Sequence, residues 1–279
     1  MTLWFEGADG NRIAATAFGP QAGQPVLMIG GMGQTRHSWK RAAEAIGQGG
    51  RHAIALDLRG HGESDWASDG DYGFARTSAD LVAVAHALGR PCVLVGASLG
   101  GKIALAAAGY GDAAVSGLVM VDTAPRVEAA GITEVTQVLH PPPEGFASPQ
   151  AAAEALAATR GRAAEPDAGE KLGRNLRQDG LGRWHWHWDP AIMGGNHGIG
   201  AEAARDYLDE AARRLDLPVL LTRGERSPVV SDASIAHFRE LTPQLRVETI
   251  AGAGHMIVGD QNDDFAAAVL HFLDATPGL

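Results

Sequence analysis

Val93-Leu94-Val95-Gly96-Ala97-Ser98-Leu99-Gly100-Gly101 joins an apolar, β-branched run to a cluster of small residues around one serine. The run reads as a buried strand. Gly96-Ala97-Ser98-Leu99-Gly100 is the G-x-S-x-G pattern of a nucleophile elbow, in which a strand turns sharply into a helix. Such a turn holds its central residue in a strained conformation, so its flanks must be small, and Gly96 and Gly100 meet that need. The Ala-rich segment Lys102 to Tyr110 reads as the buried helix behind the turn. Its N-terminus aims backbone N–H groups at whatever sits above Ser98. Ser98 is therefore the candidate nucleophile.

Outward from the elbow, short apolar strands alternate with helical segments. A β-hairpin is expected over 2–19, turning at Ala8-Asp9-Gly10-Asn11. Val26-Leu27-Met28-Ile29 is a strand that empties into Gly30-Gly31-Met32-Gly33-Gln34, a loop able to present a backbone N–H where a side chain would clash. It matches neither phosphate-binding glycine pattern. Helices are expected over 39–46, 77–88, 234–241 and 265–273, and strands at 53–57, 117–121, 217–221 and 246–250. Asp57 and His61 read as a charged turn at a strand end. Strands apolar throughout and separated by helices imply a mostly parallel sheet covered on both faces. From Arg126 to about Arg214 the texture changes to short helices, divided by Pro141-Pro142-Pro143. A polar helix is expected over 171–181, followed by Arg183-Trp184-His185-Trp186-His187-Trp188-Asp189-Pro190. The expectation is one domain: a core of 1–125 and 215–279, with 126–214 inserted as a helical lid.

Composition narrows the function. The 279 residues suit one large α/β domain with an insertion, and 45% are hydrophobic, enough for a sizeable core. A formal net charge of −10 disfavours nucleic acid or an anionic membrane as partner. No stretch is long enough to span a bilayer, and the start lacks the pattern of a signal peptide, so a cytoplasmic location is expected. Cys92 is the sole cysteine, which excludes an internal disulfide, and it reads as a small buried residue. His185, His187 and Asp189 alternate with tryptophans, which reads as an alternating strand or lid edge, and no metal is expected. Trp184, Trp186 and Trp188 are candidates for the wall of an apolar acyl pocket, with ordinary lid packing the alternative.

The strand and Gly-rich loop, Asp57-Leu58-Arg59-Gly60-His61-Gly62, Gly96-Ala97-Ser98-Leu99-Gly100-Gly101, the insertion and then Gly254-His255 together resemble the α/β-hydrolase fold superfamily. The resemblance covers essentially the whole chain. It implies an α/β fold, with a mostly parallel sheet, flanking helices and a helical lid. It also implies Ser98 as nucleophile and His255 as general base, since a serine hydroxyl needs a base near neutrality to take its proton. The oxyanion hole would be the backbone N–H groups of Leu99 and Met32, with Gly30 where many relatives carry histidine. Met256, beside the base, is expected at the substrate.

Most relatives place the triad acid in a Gly-x-x-Asp turn after the strand that follows the lid. Here that turn reads Gly224-Glu225-Arg226-Ser227-Pro228, with no aspartate. Other members carry the acid one strand after the nucleophile, where Asp122 ends Val119-Met120-Val121. Asp122 is favoured over Glu225, which starts a turn, and Asp232, expected to cap the next helix. The resemblance thus implies a cofactor-free serine hydrolase acting on a carboxylic ester or lactone through an acyl-enzyme. Carbon–carbon bond hydrolysis and perhydrolysis on the same triad are alternatives. A ligand receptor on the same scaffold is a further one, disfavoured by the presence of both Ser98 and His255.

Overall fold

The computed structural model describes residues 1–111, 114–136, 142, 144–158, 163–193, 202–255, 257, 262–276, 278 and 279. Its centre is an eight-stranded sheet: β1 (Leu3–Glu6), β2 (Arg12–Phe18), β3 (Pro25–Ile29), β4 (His52–Leu56), β5 (Cys92–Ala97), β6 (Val115–Val121), β9 (Val219–Gly224) and β10 (Leu245–Ile250). Their spatial order is β1-β2-β4-β3-β5-β6-β9-β10. β1 and β2 form the expected hairpin and β2 runs antiparallel to β4, while every pairing from β4 to β10 is parallel.

The strands alternate between two apolar faces with the period of two that a pleated strand imposes. Leu27, Ile29, Leu94, Leu118, Met120 and Leu221 face one way. Val26, Met28, Val93, Val95, Val119 and Val121 face the other. Helices α2 (Phe74–Ala87), α3 (Leu99–Tyr110), α7 (Glu202–Arg213) and α8 (Asp232–Leu241) supply Leu81, Val84, Ile103, Leu208 and Phe238 to the first face. Helices α1 (Lys40–Gln48) and α9 (Asn262–Asp274) supply Ile46, Phe265, Val269 and Phe272 to the second.

The segment between β6 and β9 contributes α4 (Ala129–Thr136), α5 (Pro149–Ala158), α6 (Ala168–Leu172) and a small sheet of β7 (Leu176–Gln178) and β8 (Trp184–Trp186). Polar residues from 171 to 181 point to a helix in the sequence, but the helix ends at Leu172 and β7 follows. The reason is the turn after it: the Asp179 carboxylate accepts the N–H groups of Leu181 and Arg183, both at 2.9 Å, and closes a hairpin. The segment builds a core from Phe146, Ala152, Leu176, Trp186, Trp188 and Ile192, together with Ala67 and Tyr72 from the stretch between β4 and α2. A second difference lies at α8, whose cap is Ser231, accepting from the Ser234 N–H, while Asp232 pairs with Arg223. No described helix is long and apolar enough to cross a membrane.

Beneath the turn after β4, two buried arginines are held by buried carboxylates. Arg36 pairs with Asp57, and Arg59 pairs with Asp80 at 2.7 Å. Removing one partner of such a pair leaves a charge in a medium that cannot solvate it. Asp80→Ala should therefore lower unfolding stability by about 3 kcal/mol in urea titrations, since Asp9 still reaches Arg59 from the rim. Lys171→Ala, which breaks a pair lying in solvent, should leave the midpoint where it is.

Candidate active site

All the residues singled out for chemistry that the structure describes, other than the tryptophans, follow the carboxyl ends of parallel strands. This is the edge where open α/β sheets bind ligands, at the point where strand order reverses. That point falls between β4-β3 and β5-β6. The Gly30–Gln34 loop leaves β3, Ser98 leaves β5, Asp122 leaves β6, the 224–228 turn leaves β9, and His255 follows β10.

Ser98 has φ +48° and ψ −116°, an elbow conformation that side chains rarely adopt. The surrounding glycines make it possible. A methyl group at Gly96 would lie 2.4 Å from the Gly100 carbonyl oxygen, and one at Gly100 would lie 2.3 Å from that of Gly30. The Gly-rich loop comes equally close to the serine, since a methyl at Gly31 would sit 3.1 Å from Ser98 Cβ. Among the described residues, the N–H groups of Met32 and Leu99 donate to no acceptor in the chain.

Asp122 repeats the strained geometry one strand over. Ala97 pairs with Val121, so Ser98 and Asp122 occupy equivalent positions, and Asp122 has φ +49°. Its carboxylate is fully buried and receives donors from two directions. Gly224 N–H donates to Oδ1 at 2.9 Å, and the Ser227 hydroxyl donates to Oδ2. His255 Nδ1 lies 2.6 Å from the same Oδ2. The structure therefore brings Asp122 and His255 together and leaves the two rival carboxylates elsewhere. Glu225 accepts the Gly252 N–H at 2.8 Å, and Asp232 is engaged by Arg223. Ser227 has no carboxylate to offer His255, yet its hydroxyl supports the one that does. Its own oxygen accepts the Val229 N–H at 3.1 Å, which fixes its orientation.

Two histidines brace the Gly-rich loop. His61 Nε2 accepts the Gly33 N–H at 3.3 Å, and His187 Nε2 faces the Gly33 carbonyl at 3.2 Å. His187 Nδ1 accepts the Gly62 N–H at 2.8 Å. The rings lie 5.9 Å apart, and the edge-on face of Trp188 flanks His187. Burial, followed by repulsion from His187, pushes His61 down to about 3. Burial also lowers His187, an effect partly offset by the Gly33 carbonyl and Asp57. The metal alternative at His185, His187 and Asp189 has no geometric basis in the described residues. His185 pairs with Asp179 at 2.9 Å, and Asp189 accepts the Tyr72 hydroxyl at 2.6 Å.

Trp184 and Trp186 stand on β8 as an alternating strand places them. Trp186 is only 6% exposed, stacked on Trp188 at 4.9 Å and met edge-on by Phe146 at 5.6 Å. Met32 packs against this cluster, so the aromatic core abuts the Gly-rich loop. Met256 lies outside the described residues.

Comparison with known proteins agrees with this architecture. The family described as the alpha/beta hydrolase fold matches residues 24–261, and the chain belongs to it. An N-formylmaleamate deformylase of Pseudomonas putida is 32% identical over 254 residues, covering 90% of this chain and 89% of its own. An sn-1-specific diacylglycerol lipase of Xenopus laevis is 28% identical, covering 92% and 82%. A solved esterase of Mycobacterium tuberculosis superimposes with a TM-score of 0.75 at 29% identity, covering 98% of this chain and 92% of that one.

The buried histidines set an acid limit on stability. Above pH 6.5 neither the native nor the unfolded chain protonates His61. Below it the unfolded imidazole takes a proton that the native one, at about 3, refuses, so stability falls as pH falls. From pH 6.5 to 5 the loss should reach about 2 kcal/mol from His61 alone. His187 and His52 add to it in the same direction. The lowered carboxylates Asp65, Asp69 and Asp179 titrate below this window. Melting temperatures from pH 7.5 to 5 check this, and His61→Gln should flatten the profile.

Proposed function

We propose that this protein is a serine hydrolase that cleaves a small carboxylic ester or lactone through an acyl-enzyme on Ser98. The observation that carries the reading is the 2.6 Å contact between His255 Nδ1 and Asp122 Oδ2, one strand from a serine held at an elbow. Asp122 accepts a hydrogen bond from His255 Nδ1–H, which keeps the proton on Nδ1 and leaves Nε2 as the basic nitrogen. As Ser98 Oγ attacks the carbonyl carbon, its proton passes to His255 Nε2, and the carbonyl oxygen takes up negative charge. The N–H groups of Met32 and Leu99 stabilise that oxyanion. The intermediate collapses when His255 returns the proton to the departing alkoxide, releasing the alcohol. Water, deprotonated by the same base, then repeats the attack on the acyl-serine and frees the acid. No cofactor takes part in this scheme.

In this reading the part of the expected 126–214 insertion that precedes α7 acts as a lid that selects substrate, while α7 itself packs on the sheet. Trp184 and Trp186 shape the acyl side through the Met32 side chain, and Met256 lies next to the base in sequence. The partner is a small molecule, reached from solvent in the cytoplasm. Esterase and lipase relatives support ester chemistry. The deformylase relative favours a second reading, cleavage of an N-acyl bond by the same steps with an amide leaving group. Parallel turnover of nitrophenyl esters of graded acyl length, lactones and N-formyl amides separates the two.

Ser98→Ala should fold as the parent does and lose at least about three orders of magnitude in kcat, because nucleophile and base act as a unit. Parent-like hydrolysis in that variant, or failure of a fluorophosphonate to label Ser98, would overturn the enzymatic reading. Asp122→Asn should cost about two to four orders of magnitude through loss of the histidine tautomer. Glu225→Gln and Asp232→Asn should each cost less than about tenfold.

Ser227→Ala removes a donor from the oxygen that Asp122 shares with His255. The carboxylate then holds the imidazole less firmly, and kcat should fall about tenfold from lost alignment. Ser227→Thr should recover the parent kcat.

A further inference from the structure

The donor and acceptor roles of the two histidines are set by the backbone groups they meet. A backbone N–H can only donate and a carbonyl can only accept. Gly62 N–H points at His187 Nδ1, so that nitrogen carries no proton and Nε2–H donates to the Gly33 carbonyl. Gly33 N–H points at His61 Nε2, so His61 carries its proton on Nδ1, toward the Arg59 carbonyl at 3.3 Å. Both polar groups of one peptide residue, Gly33, are thus gripped by two rings of opposite tautomer. That residue directly follows Met32 and has φ +75°.

The grip joins three parts of the chain. Gly33 belongs to the loop after β3, His61 to the turn after β4, and His187 to the segment between β6 and β9. His187 is 6% exposed and His61 1%, so neither ring has water as an alternative partner. The surrounding ionisable groups are engaged elsewhere. Asp57 accepts from Arg36 and from the Glu63 N–H, Arg59 holds Asp80 and Asp9, and Tyr72 donates to Asp189. Nothing in this set competes for Gly33.

We propose that His187 and His61 are positioning residues that clamp Gly33 and thereby aim the Met32 N–H at the oxyanion, with His187 the contribution of the inserted segment to the reaction. This rests on the serine hydrolase reading above. A donor aimed where charge develops acts in the transition state far more than on bound substrate. Loosening the clamp should therefore appear in kcat and hardly in KM.

The side chains of Asn and Gln divide the two contacts of His187. Asn mimics Nδ1 and can keep the Gly62 contact; Gln reaches the Nε2 position and can keep the Gly33 contact. With p-nitrophenyl acetate, His187→Asn should lose about 10- to 100-fold in kcat with KM changed less than about threefold. His187→Gln should stay within about fivefold of the parent kcat. Equal losses in the two variants, or a loss carried by KM alone, overturn the clamp. Long-range ¹⁵N spectra of the parent protein at pH 7.5 test it without any substitution. They should show His187 protonated on Nε2 and His61 on Nδ1, and any other tautomer overturns the proposal. Fluorophosphonate labelling of the parent separates the two levels. Failure to label Ser98 sinks the hydrolase reading, and the spectra still decide the clamp. Labelling with parent-like kcat in both variants sinks the clamp alone.

Discussion

A carboxylate buried without solvent, as at Asp122, is tolerated only when hydrogen-bond donors replace its water. Those donors come from Gly224, Ser227 and His255, on the ends of two other strands. Meeting the need of one side chain therefore fixes the mutual height of β6, β9 and β10. The register satisfies it: Val121 pairs with Thr222, and Gly224 with Ile250. A slip by one residue on any of the three would turn a donor away and flip an apolar face outward. The left-handed backbone at Asp122 is strain that this network must outweigh.

The Gly-rich loop is governed by the opposite requirement, close approach of bare backbone. Gly96 and Gly100 let β3 and β5 hand over to loop and helix with carbonyl oxygens where a side chain would begin, and Gly30 and Gly31 leave room for the Gln34 and Ser98 side chains. Backbone packed this tightly has few side chains of its own to anchor it. The anchoring comes from His61 and His187 outside the loop and from Gln34 at its end, whose side chain accepts the Gly31 N–H at 2.7 Å. Rigid glycine backbone and borrowed side-chain partners are complementary parts of one solution.

Most of the core was legible in the sequence because both faces of a parallel sheet are apolar. Val26-Leu27-Met28-Ile29 or Val119-Met120-Val121 can then be only a buried strand between helices. Ser98 was legible because the elbow needs glycines at fixed spacing. The hairpin at 176–186 was not, since β7 is only Leu176-Arg177-Gln178, too short to show a period, and the turn that closes it depends on the Asp179 carboxylate reaching two N–H groups. Ser227 was passed over for want of a charge, yet the hydroxyl that cannot orient an imidazole can orient a carboxylate. The bracing by His61 and His187 left no local pattern at all. It depends on contacts across 28 and 154 positions of chain.

Asp122 follows β6 and His255 lies beyond β10, and β9 runs between them. The histidine loop must cross over the end of β9 to reach Asp122, and Gly224 lets it do so. A methyl group there would lie 2.3 Å from the Gly254 carbonyl oxygen and 2.7 Å from that of Ala253. The residue that donates its N–H to Asp122 is thus also the one whose missing side chain opens the path for His255. Both roles require backbone alone at the last position of β9, and each reinforces the other. Any larger residue at 224 would lift the loop and draw His255 Nδ1 away from Asp122 Oδ2, even with every side chain of the proposed triad intact.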